Sequence, residues 1–145
     1  MTVPSPRYVK VLLEIEGTSG AREAESVWAV EEEGGYRLDN IPFYARGFAC
    51  GDLVSAAPDP DGTLRCTGLL AASGHSTLRL WFSDENHVQA VRDQLRMSGC
   101  ASELDLPRLV AVDVPPSISY STIRSYLDEK EGAGVLEYEE ACLGQ

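Results

Sequence analysis

Apolar and charged residues alternate along the first patterned stretch of the chain. In YVKVLLEIE, apolar side chains stand at every second position, namely Val9, Val11, Leu13 and Ile15. This period is typical of a strand with one buried face. The polar residues that follow, TSGAREAE, are interpreted as a connection.

Two hairpins are predicted next. SVWAVEEE and YRLDN flank Gly34-Gly35, which supplies the backbone freedom of a tight turn. DLVSAA and TLRCTGLLAA flank PDPDG, whose residues all favour turns. Short strands with frequent turns predict a small β-barrel or rolled-sheet lobe over residues 1–72.

The pattern changes in the second half of the chain. STLRLWF, ASELDL, LVAVDV and VLEYEEA are interpreted as strands, and ENHVQAVRDQLRMSG and SYSTIRSYLDEKEGAG as helices. Ser83 or Asp84 can cap the first helix. Residues 73–145 therefore predict a ferredoxin-like βαββαβ lobe, so the fold class is α+β. Because each lobe is small, we expect the two to pack as one compact unit.

Composition limits the partners. The hydrophobic share of 43% is that of a globular chain, and the net charge is −11. This charge opposes nucleic acid and anionic membranes and favours a basic protein partner. No apolar run is long enough to span a bilayer, and the N-terminus lacks a signal pattern. Four dispersed cysteines favour a cytoplasmic location.

Known metal and phosphate motifs are missing from the sequence. His75 and His87 are the two histidines, and neither stands in a zinc-site spacing. Glycine-rich phosphate loops of the common kinds are also missing. The sequence therefore predicts neither a metal site nor a cofactor.

The stretch SGHSTLR contains the first candidate chemistry. His75 could activate a serine or Cys50, and the forked donors of Arg79 could hold an anion. The alternatives are structural: Gly74 turns the chain, and Cys50 is an inert buried thiol. The sequence leaves both interpretations open.

Carboxylates supply further candidates. Asp113 lies inside the apolar LVAVDV, where it is either buried with a partner or turned to solvent at the strand end. Glu137 and Glu139 share one face of the last predicted strand. Such an acidic strand either discourages aggregation or receives a basic partner.

The stretch IPFYARGFACGD, residues 41–52, is interpreted mainly as a rigid corner. Pro42 and two glycines suit a bend, and the phenylalanines suit a core. Tyr44, Arg46 and Cys50 are left without a structural role, so they are candidate site residues.

Five separated motifs together resemble a known family. ESVWA, YRLDNIPFYARGFACGD, SGHSTLR, VAVDVPP and LEYEEACLG look like a small bacterial domain-of-unknown-function family, number 4265, over about residues 25–144. The resemblance implies a compact bacterial domain and transfers no catalytic residue. Small acidic bacterial proteins of this kind are often immunity or antitoxin partners, which is an analogy at the level of class.

Two hypotheses about function follow. The first is a non-enzymatic acidic module of immunity, antitoxin or regulatory type that binds a basic protein. The second is a small-molecule-binding domain or modest enzyme with a pocket between the lobes. The residues expected to line that pocket are Trp28, Phe43, Tyr44, Arg46, His75 and Arg79. The oligomeric state is left open.

Overall fold

The computed structural model describes residues 5–15 and 23–144. Within these ranges the chain forms nine strands and two α-helices, which confirms the α+β class. The strands are β1 Tyr8–Ile15, β2 Glu23–Glu32, β3 Gly35–Leu38, β4 Leu53–Pro58, β5 Leu64–Ala71, β6 Ser76–Phe82, β7 Ala101–Leu106, β8 Leu109–Val114 and β9 Leu136–Cys142. The helices are α1 Val88–Met97 and α2 Tyr120–Gly132.

Strands β1 to β5 form a closed barrel in chain order. Each neighbouring pair along the chain is antiparallel, and β1 closes the barrel by pairing with β5 in parallel. Gly34 makes the turn between β2 and β3 with a φ of 87°, a value that favours glycine. The buried interior consists of Val11, Leu13, Val27, Ala29, Leu38, Ala45 and Val54.

The start of β2 corrects one prediction. The sequence pattern predicts residues 23–25 as part of the polar connection, but they form the first part of β2, where Glu25 stands opposite Leu13. Pairing with the end of β1 satisfies their backbone groups despite their polarity. The earlier part of the predicted connection, residues 18–22, lies outside the described residues.

The second half forms a four-stranded sheet in the order β7-β8-β6-β9, with every neighbouring pair antiparallel. Both helices cover one face, where they share a core with alternate residues of the strands. Asp84, and not Ser83, provides the cap: its side chain accepts from the Asn86 N–H in the short 3₁₀ turn Glu85–His87 that precedes α1. No helix among the described residues is long and apolar enough to cross a membrane.

The opposite face of the sheet contacts the segment between β3 and β4. The Thr77 hydroxyl donates to the Phe48 carbonyl at 3.1 Å, and the Gly47 N–H donates to the Ala141 carbonyl at 3.1 Å. This segment, residues 39–52, connects two barrel strands and also lies on the sheet. We call the region where it meets the sheet the junction.

Candidate functional site

Backbone and carboxylate hydrogen bonds hold the junction segment in place. The buried Asp52 accepts from the Ala49 N–H at 2.9 Å and from the Ser73 N–H at 2.8 Å, so it ties the segment to the residues before β6. Gly51 has a φ of 85° and donates to the Leu38 carbonyl at 2.8 Å. The rigid corner predicted for this stretch therefore has a physical cause: its polar groups are satisfied within the chain.

Glu25 holds the first part of the segment. Its carboxylate accepts the backbone N–H groups of Phe43, Tyr44 and Ala45 at 2.6, 3.0 and 3.1 Å. Three converging N–H groups form a concavity that favours an anion, and here the chain fills it with its own carboxylate. The sequence pattern did not single out Glu25, because its partners lie about twenty positions away.

Arg79 is the centre of a charged cluster at the junction. It is 8% exposed, and its Nη1 donates to the carbonyls of Phe43 and Tyr44 at 2.9 and 3.2 Å. Its Nη2 lies 3.0 Å from Glu139, which also pairs with Arg46. Four of the sequence-predicted site residues, Tyr44, Arg46, Arg79 and Glu139, thus come together here.

Tyr44 extends this cluster to the edge of the sheet. Its hydroxyl donates to Asp105 on β7. That hydrogen bond, together with partial burial, raises the pKa of Tyr44 to about 12. Tyr44 therefore remains a neutral phenol across the physiological range and acts as a hydrogen-bond donor.

His75, immediately before β6, and Asp113, on β8, form a second group. The His75 Nδ1 lies 2.9 and 3.0 Å from the two carboxylate oxygens of Asp113. Asp113 is 6% exposed, so the interpretation that it is buried with a partner describes it correctly. Burial raises the pKa of Asp113, while the hydrogen bond from His75 opposes the increase.

Cys50 lies beside this pair, but its environment makes it a poor nucleophile. Burial is the largest cause, and the charge of Asp113 the next, of a rise in the pKa of the Cys50 thiol to about 11. A reactive cysteine needs the opposite shift. Ser73 is also occupied, since its hydroxyl donates to the Cys50 carbonyl at 2.8 Å and accepts from the His75 N–H at 3.2 Å.

Trp28 and Glu137 lie outside these two groups. The Trp28 ring is on the barrel, with the Lys10 Nζ 4.4 Å from its centroid. Glu137 stands opposite Trp81 in the pairing of β9 with β6, and Trp81 is 47% exposed. Trp81 and Glu137 line a groove of about 570 Å³ together with Tyr138 and Glu131. The sequence places Trp81 in a strand but does not identify it as a site residue.

Metal binding finds no support in the described part of the chain. No group of three or more histidine, cysteine, aspartate or glutamate side chains there is placed to hold a metal ion. The contacts described at the junction are hydrogen bonds and ion pairs.

The fold and the junction together define an α+β protein in which a five-stranded barrel and a helix-covered sheet share one connecting segment. The chain belongs to the family described as domain of unknown function (DUF4265), whose model matches residues 25–138. This result confirms the resemblance noted from the sequence motifs.

A solved structure shares the fold. The chain is similar to a hypothetical protein from Neisseria gonorrhoeae of known crystal structure, with a TM-score of 0.81 and 22% sequence identity. The similarity covers 96% of this chain and 97% of that chain. No curated protein matches the chain.

Proposed function

We propose that this protein is a non-enzymatic, acidic protein-binding module of immunity, antitoxin or regulatory type that binds a basic protein partner. The observation that carries the proposal is the uneven use of charge. Basic side chains of the described residues are engaged within the chain, whereas a set of exposed carboxylates has no cation.

The basic side chains are accounted for one by one. Each arginine among the described residues donates to or pairs with another atom of the chain, and Lys10 and Lys130 lie over the rings of Trp28 and Tyr126. Exposed carboxylates without an ion pair in the same ranges include Glu33, Glu85, Glu129 and Glu137. This imbalance, with the net charge of −11, favours association with a positively charged surface.

The state of the thiols supports a binding role over nucleophilic catalysis. All four cysteines are free, and burial raises the pKa of each thiol. A catalytic cysteine needs a lowered pKa. Free cysteines also support the bacterial cytoplasm as the compartment within this proposal.

The proposal extends to the organisation of the module. Residues 1–72 would be one lobe and residues 73–145 a ferredoxin-like second lobe, the two forming one compact unit. The βαββαβ element order and the strand order β7-β8-β6-β9 support the second lobe. Hydrogen bonds of Asp52, Thr77 and Arg79 between the segment 39–52 and the second half support the compact unit.

Affinity capture across salt concentrations tests the proposal. The tagged protein is incubated with native lysate of its source organism, and bound proteins are eluted with rising salt, identified and then purified for reconstitution. We expect a basic protein that elutes as salt is raised and rebinds in pure form, because ion pairs are screened. If no basic protein is retained at any ionic strength, the proposal is wrong.

A small-molecule-binding or enzymatic role is the second candidate, and the His75–Asp113 pair favours it. A carboxylate that holds one imidazole nitrogen orients the ring and leaves the other nitrogen for a ligand. Thermal unfolding with a set of metabolites should then reveal a compound that stabilises the protein and does not stabilise His75→Asn. A set that stabilises neither protein, or both equally, would count against this role.

A further inference from the structure

The groove beside the first half of β9 combines aromatic and acidic side chains. Trp81, Tyr138, Glu131 and Glu137 line it, and its volume is about 570 Å³. Trp81 is exposed, while the other residues of β6 are buried. The register of the sheet places Trp81 directly opposite Glu137, so the indole and the carboxylate lie on the same face.

Within the described ranges, no cationic side chain pairs with Glu137 or lies over the Trp81 ring. The described contacts between a cation and an aromatic ring lie at Trp28 and Tyr126. The Glu137 carboxylate has no ion pair or hydrogen bond among the described residues, and the Glu131 carboxylate accepts from the Tyr138 N–H at 3.2 Å. Arg108, at the turn before β8, donates to the carbonyl of Ser83, which also lines the groove.

The neighbouring cross-strand pair shows what such a carboxylate binds. Two residues along the same strands, Arg79 stands opposite Glu139, and its guanidinium lies 3.0 Å from that carboxylate. At the next pair on this face, Trp81 replaces the arginine, so Glu137 keeps its charge without a partner. A guanidinium brought from outside would complete the pattern, since it can stack on an indole and pair with a carboxylate at the same time.

We propose that this groove binds an arginine side chain of the basic partner, with the guanidinium between the Trp81 ring and the Glu137 carboxylate. The inference rests on the proposed function and adds to it the surface and the residue type that are recognised. Arginine fits better than an apolar side chain, because an apolar group would cover Glu137 without compensating its charge. Glu131, which also lines the groove, adds a second carboxylate.

A tripeptide titration tests the groove directly. The probe is N-acetyl-Gly-Arg-Gly-amide, and the control is the same peptide with citrulline, which keeps the shape and removes the charge. The two indole N–H signals are followed by NMR, assigned with the Trp28→Phe variant. We expect the Trp81 signal to shift saturably with the arginine peptide and not with the citrulline peptide, while the Trp28 signal stays in place, because Lys10 covers its ring.

Glu137→Gln and Glu33→Gln form a matched pair, because both remove one exposed charge. Affinity for the arginine peptide should fall about threefold or more in Glu137→Gln, and less than twofold in Glu33→Gln. An unmoved Trp81 signal, equal shifts with citrulline, or equal losses in the two variants would overturn the inference.

The purified partner separates this inference from the broader proposal. If the partner binds the unaltered protein and Glu33→Gln but loses affinity for Glu137→Gln, the groove is its site. If it binds all three equally, the groove is not the interface and the binding function stands. If no basic partner exists, the function proposal fails, and the peptide titration alone decides whether the groove recognises arginine.

Discussion

Asp113 shows how burial and pairing compete at a single residue. It occupies the middle of the sheet, in a strand whose six residues are all buried. Burial raises the pKa of its carboxyl group, and the hydrogen bond and charge of His75 reduce that increase without cancelling it. Desolvation is therefore the larger effect, which means that folding favours the protonated form of Asp113.

This direction predicts how stability depends on pH. Because the folded pKa of Asp113 lies above its ordinary value of 3.8, its stabilising contribution is present below that value and is lost as pH rises through the folded pKa. The unaltered protein should therefore lose stability relative to Asp113→Asn as pH rises from below 3.8 through the raised pKa of the folded state. Urea unfolding at several pH values measures the difference in free energy.

Asp61 provides a control of opposite sign. Hydrogen bonds from Thr63 lower the pKa of Asp61, so its contribution is present above 3.8 and is lost as pH falls through the lowered value. The unaltered protein should gain stability relative to Asp61→Asn as pH rises through the lowered pKa of the folded state towards 3.8. In a His75→Phe background the Asp113 effect should grow, because phenylalanine cannot donate the opposing hydrogen bond. The same sign of slope for both aspartates would contradict this account.

The unusual position of Asp113 could be recognised from the sequence, but its partner His75 could not. An acidic residue inside LVAVDV is visible in the sequence, and the two interpretations, buried or solvent-facing, followed from general rules of burial. His75 lies 38 positions away, and their contact depends on which strands pair and in which register. A contact between residues so far apart in the sequence is determined by the tertiary fold, so it leaves no local sequence pattern.

At the scale of elements, strands with strict alternation were predicted well. The bounds of β1 and β6 agree closely with the stretches read from the sequence. In β1 the alternation coincides with burial, whereas in β6 every residue except Trp81 is buried. The first residues of β2 were missed, because they are polar and are fixed by backbone pairing with β1. Candidate residues on the segment 39–52 were recognised by type, whereas their grouping around Arg79 depends on how that segment lies on the sheet.

Arg79 links the central strand β6 to the segment 39–52, and its loss should be costly. In Arg79→Met, the carbonyls of Phe43 and Tyr44 lose a donor and Glu139 loses its buried partner. We expect a loss of about 2–4 kcal/mol in the free energy of unfolding, measured by urea titration. Backbone N–H groups of residues 43–45 should also exchange with solvent faster.

Arg46 is the matched control for Arg79, because it pairs with the same carboxylate from an exposed position. Its side chain is 70% exposed, compared with 10% for Arg79. Arg46→Met should therefore cost less than about 1 kcal/mol, as exposed ion pairs usually do. Equal costs for the two variants would show that burial of Arg79 does not determine its contribution.

The described part of the molecule has two separate apolar cores and one shared segment. The barrel interior and the helix-covered face of the sheet contain different sets of buried residues. The segment 39–52 is bonded to both halves through Asp52, Thr77 and Arg79. Separation of the halves would expose Thr77, Arg79 and Ala111, which are buried on the face of the sheet opposite the helices. Neither half is therefore expected to be stable without the other.

Cooperative unfolding of the two halves is the consequence, and the two tryptophans report on it separately. Trp28 lies on the barrel and Trp81 on the sheet, so the variants Trp28→Phe and Trp81→Phe each leave one fluorescent reporter. In each variant, the urea midpoint measured by tryptophan fluorescence should equal the midpoint measured by circular dichroism on the same variant, which corrects for any change in stability. A fragment of residues 73–145 should show no cooperative transition. Two distinct midpoints, or a fragment that unfolds cooperatively, would mean that the junction only joins two independent domains. The loss of stability predicted for Arg79→Met would then affect one midpoint alone.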